Sequence, residues 1–379
     1  TPFLTCELGG GNQVTYHRRP LICSRDIEAL SICKLGSGCN LLGYYMYTGG
    51  LNPIGLTTMQ ESKDTGYPND YPVISYDFQS PIGDMGQLRE SWLRLSYIHR
   101  FVHAFGEILA PMPAIMPEER MPSLKDTETV RCALRSDGES GFLFVNNYTR
   151  LRKMPTHANQ TFEIDFKDRR VSFSVDIPAD ISFFIPVNIT LAGLRVLFAT
   201  VQPVSMEGNR VEFVEIRGIT PEITLCDGRS ILLKAGSNFI DHTEVVLLPY
   251  PEYTTSLLHE TKVKRVENTC NAEILMGHLP LADRTVEYEV DWSCEDRWLV
   301  IKAEGNLAGF YVGGRLISDF YLYGDSWVIN LHDLPVSRGI IKIQGLSPED
   351  ENTVYLEIPF KSGIYAPRVF TSRDDRLFI

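Results

Sequence analysis

Glu7 is the residue around which chemistry can be built. It follows an apolar, strand-like run, Phe3-Leu4-Thr5-Cys6, and only Leu8 separates it from Gly9, Gly10 and Gly11. A carboxylate delivered to a strand end can serve as nucleophile or as acid/base. Adjacent glycines let backbone pass close to a ligand. Taken alone, a strand-end glutamate is more often a structural or solvated carboxylate. Further candidates lie downstream, where Ile74 to Asp84 reads Ile-Ser-Tyr-Asp-Phe-Gln-Ser-Pro-Ile-Gly-Asp. Glu61, Asp70 and Asp77 lie in the long loop that contains this stretch, and fixing the loop suits them better than catalysis.

These residues need elements to hold them. After the glycine loop, Ser24 is a plausible helix N-cap. Ile27, Leu30 and Lys34, with Ala29 and Cys33, follow helical spacing until Gly36 and Gly38. Leu41 to Tyr47 is apolar almost throughout, as a buried parallel strand would be. A long loop from Thr48 to Gln87 follows, and loops of that length are usually functional. A helix from about Leu88 to Leu109 presents Leu88, Trp92, Leu95, Val102, Phe105 and Leu109 on one face. The order strand–helix–strand–loop–helix reads as the closing quarter of a (β/α)8 TIM barrel. Glu7 would then lie at the C-terminal ends of the strands, where such barrels carry their active sites.

The pattern changes after the Pro-rich stretch around Pro111, Pro113 and Pro117. Short alternating runs such as Gly141–Val145, Val171–Val175 and Val211–Ile216 predict an antiparallel β-sandwich or barrel, of which the sandwich is taken. Beyond a second linker, Pro249 to Glu260, a third region contains Trp298–Lys302 and a hairpin. Its strands, Gly309–Val312 and Arg315–Ile317, are joined by Gly313-Gly314. The expected domains are residues 1–110, the C-terminal part of a barrel; 111–255, a β-sandwich; and 256–379, a galactose-binding-like, jelly-roll sandwich.

Two stretches, with Glu7, carry a resemblance. They are Gly43-Tyr-Tyr-Met-Tyr-Thr-Gly-Gly-Leu-Asn-Pro-Ile-Gly55 and the Ile74–Asp84 run quoted above. Together they resemble glycoside hydrolase family 35, the retaining β-galactosidases. The specific motifs cover residues 1 to about 110, and the β-rich remainder is similar in kind to the family's later domains. The resemblance implies cleavage of terminal β-D-galactosides with Glu7 as nucleophile. It implies that Tyr45 approaches the nucleophile and the sugar, and that Asn52, Tyr76 and Phe78 bind substrate. Gln13, His17 and Asp77 would support the site, with Arg18 and Arg19 lining or supporting the same loop. Phe78 stands where many members have Tyr, so specificity for galactose over other sugars is open. Gln79 and Ser80 replace the family's Asp-Ala. The family's acid/base is a Glu following Asn, and no Asn-Glu pair occurs in this sequence. The acid/base is therefore expected upstream of Thr1, in a missing N-terminal barrel portion, and the chain alone is expected to be inactive. No metal or cofactor is implied, because two carboxylates suffice for this chemistry.

Composition narrows the alternatives. The formal net charge of −12 leaves no basic excess for nucleic acid. Lys262-Val263-Lys264-Arg265 reads as a solvated strand face. No apolar run reaches the roughly 18 residues of a membrane helix. The eight cysteines form no Cys-x-x-Cys pair, so zinc spacing is absent and reduced thiols in a bacterial cytoplasm are favoured. Sequons at Asn147, Asn159 and Asn188 are treated as chance. The partner expected is a β-galactoside oligosaccharide or glycoconjugate. The alternatives are a non-catalytic carbohydrate-binding or structural remnant, or an exo-glycosidase of other specificity. Trp292, Trp298, Tyr311 and Trp327 are either carbohydrate contacts or, more readily, core.

Overall fold

The Arg170–Ile177 strand shows how the patterning becomes structure. Val171, Phe173, Val175 and Ile177 are buried, while Arg170, Ser172, Ser174 and Asp176 are exposed. Successive side chains of a strand point to opposite faces, so one polar and one apolar face result. The computed structural model describes residues 2–55, 71–118, 123, 125–266, 285–346, 353–359 and 366–379. Glu61, Asp70 and Cys270 lie outside these residues. Among the described residues strands predominate, and there are two helices, α1 (Ser24–Gly36) and α2 (Glu90–Leu109).

The chain forms two units, neither contiguous in sequence. The first comprises Thr1–Gly9, Cys23–Tyr45 and Ser91–Tyr253. The second comprises Gly10–Ile22, Met46–Glu90 and Thr254–Ile379.

The first unit is built on a seven-stranded antiparallel sheet. Its order is Ser230–Leu232, Glu222–Leu225, Leu194–Ala199, Ile181–Leu191, Gly141–Asn147, Arg131–Ser136 and Ala114–Ile115. The central strands are apolar on both faces, because both faces are covered. Phe142, Phe144 and Phe184 meet Phe101 of α2 with ring centroids 4.3–6.3 Å apart. Their neighbours Leu143, Val145, Phe183 and Ile185 pack with Phe162 and Phe173 of the His157–Asp165 and Arg170–Ile177 ribbon. The same unit holds the Phe3–Leu8 strand, which pairs in parallel with Cys39–Tyr44 across α1.

Three local expectations need correction. Cys23, not Ser24, is the N-cap of α1; it is extended, and its N–H donates to the Asp26 carboxylate at 2.9 Å. The apolar face of α1 runs through Ile27, Ile32 and Leu35, which are buried, whereas Leu30 is exposed. The Leu41–Tyr47 run is not a buried strand. The strand is Cys39–Tyr44, and only Cys39 is buried. A strand with a single neighbour has no sheet to enclose it, so apolar composition alone does not bury it.

The second unit contains a β-sandwich. Four strands (His259–Thr261, Arg368–Ser372, Trp298–Lys302, Trp327–Asn330) face five (Val263–Val266, Thr285–Asp291, Arg338–Gln344, Leu307–Val312, Arg315–Tyr321). Leu299, Ile301, Trp327 and Val369 of one sheet pack with Phe310, Ile341 and Ile343 of the other. Gly313 and Gly314 make the expected hairpin turn with φ of 58° and 80°, which a type I′ turn requires at both positions. Trp298 and Trp327 belong to the buried core, and Trp292 packs against it, so the core reading of these aromatics is the one observed. Lys264 and Arg265 are exposed on the Val263–Val266 strand. Asn147 is wholly buried and its amide donates to Pro155 O and Pro178 O, which closes that sequon to modification. No disulfide links the described cysteines, and among the described residues no helix is long and apolar enough to cross a membrane.

Candidate functional site

The residues singled out by sequence fall into two groups, one in each unit. In the first unit, Glu7 occupies the penultimate position of the Phe3–Leu8 strand and is exposed. Leu8 behind it is buried, and its carbonyl accepts the Tyr45 N–H at 2.8 Å. Glu7 and Tyr45 thus sit at the same end of one parallel strand pair. Within this unit and among the described residues, Glu7 has no ion-pair partner. An exposed carboxylate that no cation neutralises keeps its nucleophilic oxygen available.

In the second unit, the Gly10–Ile22 loop and the Tyr71–Gln79 segment lie side by side. Tyr76 and Phe78 bring their rings to 4.7 Å. The Gln13 amide donates to the Tyr71 hydroxyl at 2.6 Å. Gln13, Tyr71, Tyr76, Phe78, Tyr321 and Tyr323 contribute to the walls of one cavity of about 40 Å³. That volume is room for a few waters and not for a hexose. Asn52 anchors nearby backbone through its N–H to Ile74 O at 2.7 Å. Its amide nitrogen is buried with no partner among the described residues. His17 is exposed, packs edge-on against Tyr16, and contributes its backbone carbonyl to Tyr355 N–H.

Asp77 does not reach solvent. It is buried, forms a 2.9 Å ion pair with Arg89, and accepts the Gln79 and Asp84 N–H groups. It is a positioning residue for the turn it opens, as its loop-fixing reading expects. That turn is strained. Phe78 and Gln79 have φ of 56° and 53°, a region that costs a non-glycine residue free energy and recurs at functional sites.

Gln79 and Ser80 account for how the strain is held. The buried Gln79 amide accepts Ile22 N–H at 2.9 Å and donates to Asn12 O at 3.2 Å and Pro20 O at 2.9 Å. An Asp there could not donate. The Ser80 hydroxyl lies 2.8 Å from Asp77 O and 2.7 Å from Ile82 O. Gly11 is required at this point, because a Cβ on it would collide with the carbonyl oxygens of Phe78 and Gln79. The glycine run therefore serves close backbone packing. A Gly11→Ala variant is expected to lose about 1–3 kcal/mol in chemical denaturation, the usual penalty of overpacking against rigid backbone. A change below a few tenths of a kcal/mol would show that this packing is loose.

Several buried polar pairings could not be read from the sequence. Arg19 is fully buried, donates to Asn306 O at 3.0 Å and Leu322 O at 3.2 Å, and lies 4.3 Å from the Tyr321 ring centroid. Asp319 accepts the N–H groups of Val73, Ile74 and Ser75. In the first unit, Glu28 receives Arg94 at 2.9 Å and the hydroxyls of Tyr97 and Tyr250 at 2.6 and 2.7 Å. None of these pairings has a short-range signal, since the partners are tens to hundreds of residues apart. A larger cavity of about 480 Å³ lies in the first unit, walled by Ile32, Cys33, Cys132, Ala133 and Phe144 among others. Among the described residues its walls carry no carboxylate.

No family model matches the chain, and no curated protein matches it. Among solved structures it is similar to the GH31 alpha-xylosidase from Xanthomonas citri, at 11% identity and a TM-score of 0.14. The match covers 69% of this chain and 38% of that one, so this chain spans well under half of that protein. A likeness this slight carries no inference about fold or activity.

Proposed function

We propose that this chain is part of a retaining glycoside hydrolase, similar to family 35, that cleaves terminal β-D-galactosides. Glu7 attacks the anomeric carbon and forms a glycosyl-enzyme while the aglycone leaves. A second carboxyl group, roughly 5 Å from it, protonates the leaving oxygen and later activates water. In this reading that acid/base comes from sequence upstream of Thr1. The Phe3–Leu8 and Cys39–Tyr44 strands are then the last two of a (β/α)8 barrel.

The observation that carries the reading is the exposed, unneutralised Glu7 at the end of a parallel strand pair with a helical crossover. Two further features support it. Phe3, Leu4 and Leu41 are exposed on that pair, an apolar surface that additional barrel strands would cover. Tyr76 and Phe78 also present adjacent aromatic faces beside Gln13, a suitable edge for a sugar ring.

The test uses the chain combined with an N-terminal barrel portion that supplies the acid/base. A 2-deoxy-2-fluoro-β-galactosyl fluoride is expected to label Glu7, read by peptide mass spectrometry. Glu7→Gln is expected to lower kcat by at least about a thousandfold, as removal of a nucleophile does. Labelling of another residue, or an active Glu7→Gln enzyme, would overturn the assignment. The 379-residue chain alone is expected to show no turnover of a chromogenic β-galactoside. Hydrolysis by that chain, lost in Glu7→Gln, would move the acid/base inside it. A panel of aryl glycosides separates galactose from other sugars.

A further inference from the structure

The turn that carries Tyr76 and Phe78 rests on more carboxylates than cations. Asp77 and Asp325 both reach the guanidinium of Arg89, at 2.9 and 3.5 Å. Asp77 is served at both oxygens, by Arg89, Gln79 N–H, Asp84 N–H and the Gln87 amide. Asp325 accepts Ser326 N–H at 2.7 Å and keeps about a quarter of its side chain in water. Asp84 is less well provided. Its carboxyl group meets the Ser75 hydroxyl at 2.6 Å and the Gln87 amide at 3.4 Å, and has no ion pair among the described residues. The titratable or charged groups that face Asp84 or its neighbour Arg89 are Asp77 and Arg89 on its own segment. Tyr323 and Asp325 face them from the sandwich of the same unit.

We propose that Asp84 is the site where this cluster stores a proton, and that releasing it loosens the Ser75–Leu88 segment. The Gln87 amide nitrogen reaches Asp77 at 3.3 Å and Asp84 at 3.4 Å, so the two carboxyl groups lie side by side, and of the two only Asp77 has an ion pair with Arg89. A second negative charge beside Asp77 is disfavoured where water is scarce. Burial first, and then the charge of Asp77, push Asp84 up to about 7. A carboxyl group raised in the folded state contributes stability in full below its ordinary value near 4. That contribution is lost as the pH rises through about 7. The segment at stake holds the strained Phe78 and Gln79, so its loosening changes how Tyr76 and Phe78 are presented. The inference is independent of any catalytic role for Glu7.

Hydrogen exchange of the 75–88 amides, corrected for intrinsic rates, tests it in the 379-residue chain. Protection is expected to fall about tenfold between pH 6 and pH 8 in the wild type, the ratio set by a group titrating near 7. Asp84→Asn, which mimics the protonated form, is expected to reduce that fall to the small part that Asp319, which holds the Ser75 N–H and titrates near 6, contributes. Equal protection at both pH values, or the same fall in Asp84→Asn, would overturn the proposal. Should Asp84→Asn fail to fold, the carboxyl carbon-13 shift of Asp84 in the wild type decides. A midpoint between about 6 and 8 supports the stored proton, and a midpoint lower than that overturns it.

Discussion

Arg135→Met is expected to destabilise the first unit by about 3–5 kcal/mol, the range seen when a buried polar network loses its centre. Arg135 is buried in the Arg131–Ser136 strand. Its guanidinium donates to Met112 O at 2.7 Å, Leu35 O at 2.8 Å, Leu109 O at 2.8 Å and the Asn40 side chain at 2.9 Å. Leu35 lies in the last turn of α1, and Leu109 ends α2. The last carbonyls of a helix have no partner within it and carry the negative end of its dipole. One cation therefore closes two helices, and it needs no carboxylate to do so. Methionine fills similar space but donates nothing, which strips Met112 O of its donor and leaves Leu35 O and Leu109 O with only the Gly38 and Met112 N–H groups, at about 1–3 kcal/mol for a buried acceptor left unserved. Hydrogen exchange at the C-terminal turns of α1 and α2, with urea denaturation, provides the measurement. Arg135→Lys should lie between, because an ammonium cannot span the forked geometry. A loss below about 1 kcal/mol in Arg135→Met would mean that water replaces the guanidinium without cost.

The second large effect is expected from Asp319→Ala. Asp319 lies in the Arg315–Tyr321 strand and is buried. One carboxylate oxygen accepts Ser75 N–H at 2.9 Å and Ile74 N–H at 3.1 Å, and the other accepts Val73 N–H at 2.5 Å. No regular element satisfies these three donors, so alanine leaves them orphaned at about 3 kcal/mol or more in total. Asp319→Asn keeps one acceptor and turns an amide donor towards the remaining N–H groups, so it is also expected to be destabilised. Burial pushes the Asp319 carboxyl up to about 6, against the pull of its backbone donors. Its proton-linked stability is therefore complete below about 4 and declines as the pH rises through about 6. The stability difference between wild type and Asp319→Asn should shrink over that interval. Tyr fluorescence and urea denaturation across pH 4–7 report both effects. A difference that grows with pH would show that the three N–H donors outweigh burial.

Much of the β architecture was legible. Alternation over Val171–Val175 matches the buried face of the Arg170–Ile177 strand, because a period of two leaves no other choice. Gly313-Gly314 named its turn, because few residue pairs tolerate positive φ twice. Helix α2 was legible from its apolar spacing and length. The Leu41–Tyr47 run misled because apolar composition states a preference for burial and not whether a neighbour exists to provide it.

The candidate site was legible in part. Glu7 at a strand end was named from residue order, and Tyr76, Phe78 and Gln13 through the family resemblance; the last three line one cavity in the second unit. The buried locks could not. Gln79 joins Asn12, Pro20 and Ile22, Asp319 joins Val73 to Ser75, and Arg19 joins Asn306 and Leu322. Each is a polar residue whose sequence neighbours predict a solvent-facing side chain.

By itself, then, the sequence determined where strands, helices and tight turns form, since local dihedral preference and apolar period act over a few residues. Only the tertiary structure decided that residues 10–22 and 46–90 join the C-terminal sandwich in one unit. The reason is physical. A buried hydrogen-bonding group must find its partner wherever the folded chain brings one, and separation along the sequence places no limit on which partner that is.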